Sequence, residues 1–173
     1  EPKYQWAYDD TEYNANKYGR LYTWYAISDP RDIAPEWWHI PITAEWTVFE
    51  DYLITNGYNY DGTTTGNKIA KSLAANTDWK VFNLTGIIGD DLTKNNSSGF
   101  SALPGGYRNP VGAFSTNVTH AHWWCFNNFS TNTFGKYLFF GNENLDRNNY
   151  DKSFGLSVRC VKNNLPIITT RVA

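Results

Sequence analysis

Two histidines separated by a single residue are the most chemically suggestive pair in this chain. Alternate residues of a strand point to one face, so His120 and His122 would present both imidazole rings together. Two imidazoles can form half of a zinc site, but no third ligand of matching type stands nearby. The remaining histidine, His39, lies between Trp38 and Ile40 and is typical of a structural position. We therefore interpret the pair as part of a binding surface.

A second group carries oxygen atoms that could hold a cation: Glu143, Asn144, Asp146 and Asn148. Carboxylate and amide oxygens are ligands that calcium prefers. The spacing lacks the EF-hand pattern, and asparagine-rich loops commonly serve only as turns. We expect no cofactor, with calcium kept as the alternative.

The two cysteines, Cys125 and Cys160, form no zinc or CxxC pattern. We favour two buried free thiols, which behave as small hydrophobic groups, and a disulfide remains open if the fold brings their strands together. No local signature indicates a Ser-His-Asp or Cys-His arrangement, and the glycine-rich pieces lack the lysine and hydroxyl of a phosphate loop. The sequence therefore predicts no enzyme.

The composition of the 173-residue chain limits the classes of protein and of partner that can be expected. Its length suits one domain, and aromatic residues at 17% argue against disorder. Charged residues make up only 18%, with a net charge of -2 and no long basic run, so no nucleic-acid partner is expected. The apolar runs are too short for a membrane span.

The segment from His120 to Tyr150 mixes asparagine with aromatic residues and shows no helical or strand period. Rigid aromatics combined with small amides are typical of recognition surfaces, because they give contact area at low entropic cost. An orderly, strand-like stretch over residues 155–162 follows. We expect a displayed binding surface, although half of its aromatics should fill the core. One of Trp123 and Trp124, and one of Phe139 and Phe140, should point inward.

Among the predicted elements that position this segment, the helices come early in the chain and the strands come late. One helix is predicted with Thr43 as its N-cap, an apolar stripe of Trp46, Phe49 and Leu53, and a stop at Gly57. A second, shorter helix is predicted over residues 67–75. Residues 4–15 are expected to be irregular, and residues 21–26 to be strand or helix.

The best strand candidates come late, at residues 122–126, 136–140 and 156–161. A short strand entering a glycine turn is also predicted over residues 100–108. Helices followed by strands, without alternation, predict an α+β domain with two early helices and a small antiparallel sheet.

Several segments together resemble the Fibrobacter succinogenes major paralogous domain, which is abundant in Bacteroidetes and their phages. They run in family order over nearly the whole chain: residues 17–24, 35–41, 44–46, 98–108, 122–124 and 152–161. The resemblance implies a single C-type lectin-like domain over residues 1–173. Its fold would be of the formylglycine-generating-enzyme type, without an established enzymatic role.

Three alanines depart from the family pattern. The family usually carries cysteines at Ala7, Ala15 and Ala34, so Cys160 lacks its usual partner. Because disulfides persist in oxidising compartments, their loss suggests folding in a bacterial cytosol. We expect a location on the virion surface, as in a phage tail, or on a bacterial cell surface.

The same resemblance extends to variable proteins of diversity-generating retroelements, in which template adenines, mostly in asparagine codons, are randomised. It implies a variable ligand-binding region at about residues 120–154, with Trp123, Trp124, Lys136, Glu143 and Lys152 as scaffold. The candidate diversified positions are Phe126, Asn127, Asn128, Phe129, Asn132, Tyr137, Phe139, Asn142, Asn144, Asp146, Asn148, Asn149 and Tyr150.

These features predict a non-enzymatic receptor-binding or adhesion domain whose partner is a protein or glycan on a target cell surface. Two alternatives remain open. The chain could be a structural or assembly domain that mainly forms an oligomer. It could also be an enzyme like the formylglycine generators, which use cysteine chemistry and would need an activated thiol.

Overall fold

The structure is a computed structural model that describes residues 4–127 and 133–163. Its described part combines helices with small antiparallel sheets, which confirms the α+β class. The helices are α1 (Glu12–Tyr18), α2 (Trp24–Ile27), α3 (Thr43–Thr55) and α4 (Ala70–Leu73). The strands are β1 (Gln5–Trp6), β2 (Leu21–Tyr22), β3 (Trp38–His39), β4 (Tyr107–Arg108), β5 (Phe114–Ser115), β6 (His120–Cys125), β7 (Thr133–Phe139), β8 (Asp146–Tyr150) and β9 (Val161–Lys162).

The largest sheet has three strands in the order β6-β7-β8, and all of its pairings are antiparallel. His122 faces Tyr137 across the first pairing, and Tyr137 faces Asp146 across the second. Three two-stranded pairs accompany this sheet: β1 with β2, β3 with β9, and β4 with β5. No helix in the described ranges is long and apolar enough to cross a membrane.

Helix α3 matches the predicted stripe but starts differently. Trp46 and Leu53 are buried, and Phe49 packs against the same core. The prediction that Thr43 is the N-cap is wrong. Ile42 is the N-cap, and its N–H donates to Glu45 Oε2 at 2.9 Å, so the Glu45 side chain satisfies the helix start. Just past the end of the helix, Gly57 adopts a left-handed φ of 78°, as expected for a stop.

Other elements differ from the sequence predictions. Helix α1 forms inside the segment predicted to be irregular, and α4 covers only four of the nine predicted residues. Residues 21–26 are strand first and helix after, as β2 and the start of α2. The third strand candidate is a strand only at β9, with isolated bridges at Leu156 and Ser157. Strand β8 was not predicted.

Two hydrophobic cores lie on opposite faces of the three-stranded sheet. The first, here called the α3-side core, contains Trp46, Leu53, Trp123, Cys125 and Leu138. The second, the α2-side core, is a smaller cluster: Trp24, Ile27, Ile40, Trp124, Tyr150 and Leu156. Adjacent residues of a strand point to opposite faces, so Trp123 and Trp124 are both buried, one in each core. The expectation that only one of them points inward is wrong.

A buried ion pair joins the sheet to α3. The Lys136 ammonium of β7 contacts the Glu50 carboxylate of α3, and the two side chains are only 9% and 14% exposed. Lys136 alternates with Gly135 and Tyr137 on its strand and therefore points to the α3 side. This pairing allows a charged residue to lie under the sheet.

Candidate ligand-binding face of the three-stranded sheet

The sheet face on the α2 side carries most of the ring systems of the asparagine-rich segment. We call five of these residues the aromatic face: His120, His122, Tyr137, Phe139 and Tyr150. The two histidines are two residues apart on β6, and Tyr137 and Phe139 are two residues apart on β7, so each pair shares a face. Tyr150 faces Thr133, which lies four residues before Tyr137 and therefore on the same side of the sheet. The prediction that both histidines share a face is confirmed.

The rings of the aromatic face stack on one another. The Phe139 ring lies 4.6 Å from the His120 ring between centroids, and the His120 and His122 rings lie 5.5 Å apart and almost parallel at 8°. Tyr137 stacks on His122 at 5.7 Å. Cross-strand aromatic pairs stabilise sheets, so this row is fixed by packing before any partner arrives.

His122 is the most buried polar group of the row. Its Nδ1 atom lies 2.8 Å from the Tyr150 hydroxyl oxygen, and the Tyr107 ring meets it edge-on at 5.1 Å. Burial, with a smaller contribution from the neighbouring His120, lowers the pKa of His122 to about 3. Burial also raises the pKa of Tyr150. Both groups are therefore neutral at pH 7 and make a neutral hydrogen-bonded pair.

A pocket of about 330 Å³ opens over this pair. Its base includes His122 and Tyr150, and its sides include Tyr107, Tyr137 and Phe154. Asn148 and Asn149 lie at its edge, with the Asn148 side chain on the Tyr150 side of β8 and the Asn149 side chain on the other side. Thr116 and His120 complete the lining. The pocket is open to solvent and combines aromatic rings with several polar groups, so a partner could contact both kinds of group at once.

Several predicted positions meet at this pocket. Tyr137, Asn148, Asn149 and Tyr150 all line it, and Phe139 continues the aromatic face beside it. Tyr150 is buried and packs edge-on against Trp124, so it supports the pocket from below. The exposed fraction of the lining therefore comes mainly from β8.

The remaining predicted positions lie elsewhere. Phe126 stacks on Trp24 at 5.7 Å and packs against the α2-side core. The Asn142 side chain donates to Asp146 Oδ2 at 2.8 Å, within the connection from β7 to β8. Asn127 and Asn144 are half-buried. Asn128, Phe129 and Asn132 lie outside the described residues.

Sequence reasoning missed Tyr107, Thr116 and Phe154, which come from three separate segments. One local signal was available, the glycine pair just before Tyr107. Gly106 has a left-handed φ of 64°, and a Cβ there would lie 2.4 Å from the Ser115 carbonyl oxygen. Only glycine permits this approach to β5, and Gly106 also bridges to Ala121 of β6, so β4 lies beside the sheet.

The geometry offers no support for a metal site. Throughout the described ranges, no group of three His, Cys, Asp or Glu side chains could hold an ion. The two histidines stack in parallel, and His122 uses one nitrogen on Tyr150. The calcium alternative at Glu143 to Asn148 stays an untested prediction.

Neither cysteine forms a disulfide. Cys125 is buried in the α3-side core, and burial raises the pKa of its thiol to about 12. Cys160 is half-buried beside the α2-side core, and burial raises its pKa as well. Both thiols are therefore protonated at neutral pH, as expected of structural cysteines.

Residues 1–162 match the Fibrobacter succinogenes major domain family, and the chain belongs to that family. The match covers most of the 173 residues, including the sheet and the pocket. No curated protein and no solved structure matches the chain.

Proposed function

We propose that the chain is a non-enzymatic ligand-binding domain with a C-type lectin-like fold. Its binding surface is the aromatic face together with the exposed edge of β8. The observation that carries the proposal is the pocket of about 330 Å³, in which residues of β6, β7 and β8 meet Tyr107, Thr116 and Phe154 from other segments. The partner is a protein or a glycan on a target cell surface.

The division between rigid and adaptable groups supports this proposal. Tyr137 and Phe139 are half-buried and stacked, so they offer ring area without losing much side-chain entropy on binding. Asn148 and Asn149 are exposed and offer donors and acceptors that can adapt to a partner. Anchors surrounded by polar groups are typical of binding hot spots.

The burial of the proposed scaffold supports diversification of the segment. Trp123, Trp124 and Lys136 are buried, whereas Asn148 and Asn149 are exposed. We expect a reverse transcriptase gene beside the coding sequence, with a near-copy of the codons for residues 120–160 that differs only at template adenines. Sequencing the genomic neighbourhood checks this expectation. A neighbourhood without such a copy would remove the retroelement from the proposal and leave the binding face in place.

The state of the thiols argues for binding rather than catalysis. A cysteine nucleophile needs a depressed pKa and access to solvent. The pKa of Cys125 is instead raised to about 12 by burial, and that of Cys160 is raised in the same direction. This supports the non-enzymatic proposal over a formylglycine-generating type of enzyme.

One observation favours assembly as a second candidate function. A mainly apolar groove of about 700 Å³ runs beside α3, bordered by Val48, Tyr52, Phe100 and Val161. Val48 and Tyr52 are exposed, and contiguous exposed apolar surface often marks an interface. An assembly domain would use this groove and leave the aromatic face unoccupied.

Substitutions on β8 distinguish the two candidates. We expect the double variant Asn148→Ala, Asn149→Ala to lose at least about tenfold in affinity for a captured target, because two adaptable contacts disappear. Its melting temperature should fall only slightly, since both side chains are exposed and only the Asn148 hydrogen bonds with Tyr150 and with the Asn149 N–H are lost. Capture is measured with immobilised domain against arrays of glycans and of cell-envelope fractions.

The matched control is Val48→Glu, which places a charge in the α3 groove. Under the binding proposal it leaves capture unchanged. If Val48→Glu breaks an oligomer while the double variant binds its target normally, the assembly function replaces the binding function.

A further inference from the structure

We propose that the pocket over His122 binds one neutral, hydroxyl-bearing ring, such as a single sugar unit of a glycan. This inference rests on the proposed function, since it names the ligand class of the same face. Two buried polar atoms carry it: His122 Nε2 and Thr116 Oγ1 have no hydrogen-bond partner among the described residues. Both residues line the pocket. Unpaired buried polar atoms are costly, so a ligand that pairs with them gains that energy on binding.

The hydrogen bond between His122 and Tyr150 determines whether His122 Nε2 is a donor or an acceptor toward a ligand. If Nδ1 accepts the Tyr150 hydroxyl proton, Nε2 carries a hydrogen and donates. If Nδ1 donates to the Tyr150 oxygen, Nε2 accepts. A ligand hydroxyl both donates and accepts, so it pairs with either tautomer. A carboxylate or an ammonium pairs with only one of them.

The charges of the lining favour a neutral ligand. Among its nine residues there is no Asp, Glu, Lys or Arg. His122 is neutral at pH 7, and burial also lowers the pKa of His120. The nearest carboxylate, Asp146, is already engaged by the Tyr137 hydroxyl and the Asn142 amide, so the lining offers no free charge to balance an ionic ligand, and burying an unbalanced charge is strongly unfavourable.

The rings around the two polar atoms suit the shape of a sugar. A pyranose presents C–H groups on its faces and hydroxyls around its edge. Tyr107, Tyr137 and Phe154 provide apolar ring surface for such a face. Thr116, His122 and the amide of Asn148, which lies on the same face of β8 as Tyr150, provide partners for the edge. A volume of about 330 Å³ lies at the small end of ligand pockets and fits one ring better than an extended chain.

Backbone strain at Thr116 supports a functional role. Thr116 and Val118 have left-handed φ values of 65° and 61°, which are unusual for β-branched residues. The Thr116 carbonyl accepts hydrogen bonds from the N–H groups of Thr119 and His120, at 3.1 and 2.9 Å. These bonds hold the strained turn at the start of β6. Strain of this kind is concentrated at binding and catalytic sites.

The test titrates methyl glycosides of neutral hexoses into the protein and follows the His122 side-chain nitrogen signals by NMR. We expect at least one glycoside to shift the Nε2 signal at millimolar concentration. We expect Thr116→Val to weaken that binding roughly tenfold, as for one lost hydrogen bond. This variant removes a hydroxyl without a partner, so it should fold at least as stably as the parent. Thr64→Val, at an exposed position outside the pocket, is the matched control and should bind normally.

Three results would overturn the inference. The first is that no glycoside moves the His122 signals while the protein still captures a target through Asn148 and Asn149, which leaves the proposed function intact. The second is that glycosides bind equally well to Thr116→Val, which places them elsewhere. The third is that neither a glycoside nor any target binds, in which case the proposed function fails as well. Reducing sugars run in parallel show whether a free sugar or only a glycosidic unit is recognised.

Discussion

Lys136→Ala is expected to lower the free energy of unfolding by about 3–5 kcal/mol, the cost of breaking a buried ion pair. The substitution removes the ammonium that contacts Glu50 under the sheet and leaves that carboxylate buried beside the α3-side core. The free energy of unfolding of a typical domain is only about 5–15 kcal/mol, so this substitution would remove a large part of the stability. Urea unfolding followed by tryptophan fluorescence measures the change.

Two further variants separate the ion pair from simple packing. The double variant Lys136→Met, Glu50→Leu removes both charges and should recover most of the lost stability, because no unpaired charge remains. Arg20→Ala breaks the exposed pair with Glu12 and should leave stability nearly unchanged. Equal stability of Lys136→Ala and the parent protein would mean that Glu50 is solvated and that the pair does not join β7 to α3.

The second large effect is a loss of stability as the pH falls from about 6.5. Burial holds the pKa of His122 at about 3 in the folded protein, whereas an unfolded histidine titrates near 6.5. Between these values the unfolded state binds more protons than the folded state, so stability decreases as pH decreases. The expected slope is up to about 1.4 kcal/mol per pH unit for this one group. His120, whose pKa is also lowered by burial, adds to it with the same sign.

Unfolding experiments between pH 7 and 4.5 isolate this effect, because most carboxylates titrate below that window. His122→Gln should flatten much of the slope, since an amide can still bond Tyr150 but does not ionise. His39→Gln is the matched control. The pKa of His39 is raised, first by its hydrogen bond to Asn163, so its contribution has the opposite sign. If His122→Gln and the parent protein lose stability equally between pH 7 and 4.5, burial does not hold His122 neutral in the folded state.

The elements and contacts that were predicted correctly are those marked by a regular spacing of side chains along the sequence. The 3.6-residue spacing of Trp46, Phe49 and Leu53 locates α3, and the two-residue spacing of His120 and His122 places both rings on one face. These signals are local and depend only on which side of an element is buried. They survive in the structure because the sheet and α3 each have a face that packs against a core.

Elements that form because of contacts with distant parts of the chain show no regular spacing of apolar residues in the sequence. Strand β8 reads Asp-Arg-Asn-Asn-Tyr, without the β-branched residues that favour strands, and it is a strand because it pairs with β7. Helix α1 buries no residue and therefore has no apolar stripe. The pocket brings Tyr107, Thr116 and Phe154 together from distant segments, and single-sequence patterns do not report such proximity.

The exposure pattern of the sheet decides how much the segment can change during evolution. Asn148 and Asn149 lie on an edge strand in solvent, so almost any side chain can replace them without disturbing the fold. Phe126 and Tyr150 pack against the α2-side core, and Gly135 has no room for a Cβ, which would lie 2.9 Å from the Tyr150 ring. A repertoire built on this domain would therefore draw its usable variants from few positions. Many randomised sequences would be lost to misfolding before any partner could select among them.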